Sequence, residues 1–108
     1  LDLKISGSGN MKFDIEADEV IGRISGSGSI NLMGFAKRIG LTVTGSGNIN
    51  AISLKSESAT ANISGSGGIR LHASEDLDAR VSGSGNIVYK GNPSLDSRVT
   101  GSGSIHSR

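Results

Sequence analysis

Residues 43–49 read Val43-Thr44-Gly45-Ser46-Gly47-Asn48-Ile49, and the same frame returns five more times along the chain. The glycine pairs of the six Gly-Ser-Gly triplets are Gly7 and Gly9, Gly26 and Gly28, Gly45 and Gly47, Gly65 and Gly67, Gly83 and Gly85, and Gly101 and Gly103. Successive triplets are separated by 19, 19, 20, 18 and 18 residues. A near-constant step of this size is the mark of a short structural repeat, one coil of a β-solenoid.

Working outward from the triplet, each column keeps its chemistry. Two residues before it stand Ile5, Ile24, Val43, Ile63, Val81 and Val99, all β-branched and apolar. Two residues after it stand Met11, Ile30, Ile49, Ile69, Ile87 and Ile105. These two columns are the expected core ladder. Further apolar columns lie four before (Leu3, Gly22, Leu41, Ala61, Ala79, Ser97), six before (Leu1, Val20, Ile39, Ala59, Leu77, Leu95) and four after (Phe13, Leu32, Ala51, Leu71, Tyr89, Ser107). The positions between them are mostly polar. Period-two alternation with β-branched residues on one side describes strands with one buried face.

Each coil therefore reads as strand, corner, strand and a looser connection. The connections fall at residues 16–19, 35–38, 53–58, 74–76 and 91–94, and their unequal lengths account for the 18- to 20-residue spread. Equivalent strands of successive coils are expected to pair in parallel, about 4.8 Å apart. The fold class is all-β, a single-stranded parallel β-helix of five to six coils in one domain spanning residues 1–108.

The triplets are read as structural corners, because glycine permits positive φ and close backbone approach. A flexible linker would not keep fixed spacing with invariant Ile or Val flanks. A phosphate-cradling loop would continue into Lys-Ser/Thr and a helix. A calcium β-roll needs an aspartate in each turn, and none of these turns has one. An ice-binding array needs a flat Thr-x-Thr ladder, yet Thr42 and Thr44 lie beside Arg23 and Asn62.

Composition narrows the function classes. Eleven basic and ten acidic residues give a net charge of +1, which disfavours a partner recognised by bulk charge, nucleic acid above all. Phe13, Phe35 and Tyr89 are the only aromatic residues, too few for a base-stacking platform. No apolar run approaches the roughly 20 residues of a membrane span, so no membrane insertion is expected. No signal peptide is visible at Leu1, and there is no cysteine.

Candidate chemistry is sparse. His72 and His106 stand at different offsets from their triplets and read as surface histidines. Asp14, Glu16, Asp18 and Glu19 read as a solvated connection. Asp78-x-Arg80 and Asp96-x-Arg98 recur on the outward face, where neighbouring opposite charges offset stacked like ones. No catalytic, metal-binding or cofactor-binding residue is assigned.

The recurring Ile-Ser-Gly-Ser-Gly-Asn/Ser-Ile frame resembles the head GIN domain family of auto-transporter adhesins. The stretch from Leu77 to Leu95, with Tyr89-Lys-Gly-Asn-Pro93 inside it, and Val99 to Ile105 after it, resembles the C-terminal end of that family. The resemblance implies a right-handed helix, an extracytoplasmic setting (secreted, periplasmic or cell surface) and a non-catalytic structural or adhesive role. It also implies that the chain is the C-terminal part of a longer protein. The partner would be a surface ligand, protein or glycan. The competing expectation is a β-helix that binds or cleaves polysaccharide. Leu1, Leu3 and Ile5 lie in inward columns, so the first coil is expected to present an open edge suited to self-association.

Overall fold

Parallel stacking gives every backbone N–H and C=O a partner one coil away, whatever side chain the residue carries. In the computed structural model, which describes residues 2–107, that pairing runs almost without interruption. The strands are β1 (Asp2–Gly7), β2 (Asn10–Gly26), β3 (Ser29–Gly45), β4 (Asn48–Gly65), β5 (Gly68–Gly83), β6 (Asn86–Lys90), β7 (Ser94–Thr100) and β8 (Ser104–Ser107). All are parallel in one sheet of order β1-β2-β3-β4-β5-β6-β8, with β7 also on β5. The sheet winds into a solenoid of about six turns, and every regular element among the described residues is a strand.

The triplets stack in register, Gly7 on Gly26, Gly45, Gly65 and Gly83 in turn. Each first glycine has φ between 97° and 123°. Backbone bonds staple the corners together: Ser46 N–H donates to Gly26 O at 3.1 Å and Asn48 N–H to Gly28 O at 3.1 Å. The triplet serine thus joins the ladder through its main chain.

Four of the segments expected as looser connections are strand. Residues 16–19, 35–38, 53–58 and 74–76 lie inside β2 to β5, so one strand makes most of a coil. Of the expected connections only the last leaves the strands, at Gly91-Asn92-Pro93, with Ser94 opening β7. The chain still bends a second time within each long strand. Register shifts between Asn31 and Met33, between Ala51 and Lys55, and between Ser56 and Ser58 absorb the differences in coil length. Inward positions in or next to these segments are filled by Ile15, Ala36, Leu54 and Ala73, all buried. Ser56 is buried beside them, and its hydroxyl donates to His72 O at 2.5 Å, which satisfies the polar group.

The core is one continuous cluster of stacked ladders. Ile5, Ile24, Val43, Ile63 and Val81 are buried, as are Ile30, Ile49, Ile69 and Ile87. Met11 and Ile105 are only partly covered. The ladder expectation fails at Val99, which is 40% exposed, and Leu95 beside it is 42% exposed. Both belong to the last coil, where a neighbour covers one side only. The first coil behaves differently: Leu3 and Ile5 are 6% and 4% exposed, with Met11 and Phe13 packed against the cluster. Leu3 is matched in the last coil by Ser97, too small and polar to fill the same space. Among the described residues, the large apolar side chains left exposed on the end coils are thus Leu95 and Val99 of β7. Leu1 and the side chain of Ser107 lie outside the described residues.

Position along one ladder should thus set the cost of the same truncation. In this 108-residue chain, Val43→Ala should cost about 2–3 kcal/mol, from lost burial and a residual cavity. Val99→Ala should cost under about 1 kcal/mol, because its side chain is already half in water. Urea unfolding of the two variants checks this; equal losses would contradict the one-sided cover of the last coil.

Candidate functional site

The interior is occupied by apolar ladders, so chemistry must sit on outward positions. The positions following the corner form two stacked rows. The first runs Asn10, Ser29, Asn48, Gly68, Asn86 and Ser104; the second runs Lys12, Asn31, Asn50, Arg70, Val88 and His106, all in register. Gly68 is the one member of the first row without a side chain, and a groove of about 600 Å³ opens there. Asn48, Asn50, Arg70, Asn86, Val88 and His106 line it. A Cβ on Gly68 would approach Asn48 Oδ1 to 3.1 Å, so the missing side chain is what makes the hollow.

The groove offers an acceptor, Asn48 Oδ1, as well as donors. The Oδ1 of Asn50 accepts from Ile52 N–H at 3.4 Å, and the Oδ1 of Asn86 accepts from the Ser104 hydroxyl at 2.7 Å. Each amide oxygen thus accepts one bond from the chain itself, and the NH₂ groups are donors a ligand could use. Arg70, exposed between Asn50 and Val88 in the second row, adds a guanidinium with five N–H donors.

Charge is distributed unevenly around the coil. Of the ten acidic residues, none falls in the two rows after the corner, which carry Lys12, Arg70 and His106. Towards the second bend, Lys55, His72 and Lys90 stack in register. Partial burial, then Lys90 and Lys55, push His72 below its ordinary pKa of 6.5. At neutral pH the positive charge of this face is consequently carried by lysine and arginine.

The other candidates resolve into locally offset charge. Asp78 and Arg80 are 3.5 Å apart on the exposed face before the corner, and Asp96 and Arg98 stack directly above them. An exposed pair of this kind contributes at most about 1 kcal/mol. Arg80 and Arg98 also border a second hollow of about 290 Å³ with Thr42, Asn62, Ser82 and Thr100. Asp18 and Glu19 meet Lys37 and Arg38 of the next coil around a hollow of about 300 Å³. Among the described residues, no three His, Cys, Asp or Glu side chains gather as a metal site would require. His72 and His106 fall in different rows, and only His106 reaches the Gly68 groove. By sequence Gly68 reads as one more bend residue. A lone glycine in a column of Asn and Ser is the signal that marks the groove.

The family model described as "putative auto-transporter adhesin, head GIN domain" matches residues 1–93. The chain belongs to this family. Solved structures similar to this head GIN domain chain include a "putative adhesin" from Parabacteroides distasonis, with a TM-score of 0.96 and 36% identity over 99% of this chain and 46% of that one. A "putative lipid binding protein" from the same organism has a TM-score of 0.91 and 32% identity over 100% of this chain and 53% of that one. A "putative adhesin" from Bacteroides fragilis has a TM-score of 0.80 and 30% identity over 99% and 56%. The head GIN domain chain thus spans about half the length of each of these proteins. Comparison with curated proteins gave no match.

Proposed function

We propose that this chain is an extracytoplasmic adhesive module that binds its ligand on the face following the Gly-Ser-Gly corners and performs no catalysis. The observation that carries this reading is the groove around Gly68, where donors of three coils converge on one regular surface. A solenoid is suited to adhesion, because stacked repeats present the same row of side chains at each step and so match a repetitive surface ligand. Membership of the adhesin family supports the same reading and the extracytoplasmic setting. The similar protein described as lipid-binding supports binding rather than turnover.

Purified chain, incubated with a panel of bacterial and host surface polysaccharides, is expected to be retained on at least one of them. No reducing ends should be released over hours. Steady accumulation of reducing ends would make this a polysaccharide-cleaving protein, and failure to be retained anywhere on the panel would end the adhesive reading.

A further inference from the structure

We propose that the Gly68 groove is a receptor for the carboxylate of an acidic sugar, a uronate or a sialate. The inference rests on the adhesive reading and names the ligand class for it. Three observations carry it. First, the Asn50 and Asn86 amide oxygens each accept a bond from the chain, from Ile52 N–H and the Ser104 hydroxyl, which leaves their NH₂ groups to donate to a ligand. A sugar presents hydroxyl and ring oxygens that accept from such groups, and a carboxylate accepts from the Arg70 fork through two parallel bonds.

Second, the groove is lined by one cation, Arg70, and by no carboxylate. Lys55, His72 and Lys90 form a separate row in register, in a column that continues to Phe35 and Glu16 in the earlier coils. On the face before the corner the chain solves the same stacking problem differently, setting Asp78 beside Arg80 and Asp96 beside Arg98. Like charges in neighbouring strands repel unless offset. A groove lined by Arg70 and no carboxylate is suited to a ligand that brings the missing negative charge. The net charge of +1 conceals this local bias.

Third, the hollow itself is made by Gly68, and it has Val88 as an apolar contact for the ring carbons of a sugar. Arg70 aligns with Asn50 and Val88, and Lys55 and Lys90 stand in the separate His72 row on the coils to either side, so an extended chain of acidic sugars could leave the groove towards a second row of cations.

The test is titration calorimetry of the intact chain with oligogalacturonate, its methyl-esterified form, and sialyllactose, in low salt and at roughly threefold physiological salt. Oligogalacturonate or sialyllactose should bind, the ester should bind at least about 10-fold more weakly, and added salt should weaken binding. Arg70→Ala should reduce affinity by about 10-fold or more. Gly68→Asn should also abolish binding. It fills the hollow with the residue that Asn48 and Asn86 already place in that row, so the fold should tolerate it. Arg98→Ala, on the other face, should bind as the parent does, and all three variants should melt at the parent temperature. Binding of neither acidic sugar would overturn the inference. Equal binding of acid and ester, lost in Gly68→Asn, would overturn it in favour of a neutral glycan and leave the adhesive reading standing. Binding to phosphatidylglycerol vesicles in place of both sugars would overturn it in favour of an anionic lipid surface.

Discussion

Ile63→Asp should leave the chain unfolded, or melting at least about 20 °C lower, in far-UV circular dichroism. Ile63 is 2% exposed and sits between Val43 and Val81 in the ladder before the corner. Removing its burial costs about 1.5–3 kcal/mol. A carboxylate in its place has apolar neighbours above and below, and leaving such a group unpaired costs several kcal/mol more. A domain of this size is stable by about 5–15 kcal/mol in total, so one substitution consumes most of the margin. The location sharpens the expectation. Coils contact only their neighbours, so a break in the middle separates two halves that are each too short to bury their own ladders. An unchanged melting temperature would show that this column does not face inward.

Gly45→Val should destabilise the chain by about 3 kcal/mol or more, whereas Ser46→Ala should change it by less than about 0.5 kcal/mol. Gly45 has φ of +108°, and a Cβ there would lie 2.8 Å from Gly26 O. A β-branched residue meets both penalties, strain and crowding of the oxygen that accepts from Ser46 N–H. Ser46 is exposed and contributes its backbone N–H, which alanine retains. Gly47 is required for a different reason. It has ordinary φ, but a Cβ would come within 2.5 Å of Ile24 Cγ2 and 2.6 Å of Gly28 O. The first glycine of a triplet thus serves the turn, and the second lets adjacent coils approach. Guanidinium or urea titrations of the two variants decide the matter; equal tolerance would contradict the assigned roles.

Corners and ladders are legible in the sequence because in-register parallel stacking converts sequence spacing directly into spatial alignment. Ile24 lies against Val43 in the structure because both stand two residues before a triplet. The second bend is not legible for the same reason. Register slips between Ala51 and Lys55, so Leu54, fully buried, falls in a segment that loses both period and column alignment. Ile15, Gly34 and Leu54 are stacked there although a glycine separates the two aliphatic residues. Column alignment also carries no information about which coil comes last, and hence Val99 looks like Val43. The groove is hidden in the sequence because its defining residue is an absence of side chain at a position where glycine is also an ordinary bend former.

The uniform stacking of triplets has a consequence for how such a chain reaches its native state. Every strand pairing among the described residues joins positions roughly one coil apart, so the sequence separation that must be closed stays about one coil long however many coils are present. Most parallel sheets grow slower to assemble as their strands become more distant in sequence. Here the closure entropy is the same small step at each coil, and it depends only weakly on loop length. Once two coils have met, each further coil lays itself on an existing template. Assembly should proceed as propagation from a costly first pair, like the growth of a one-dimensional crystal, with the corner glycines as the lattice points that keep each new layer in phase.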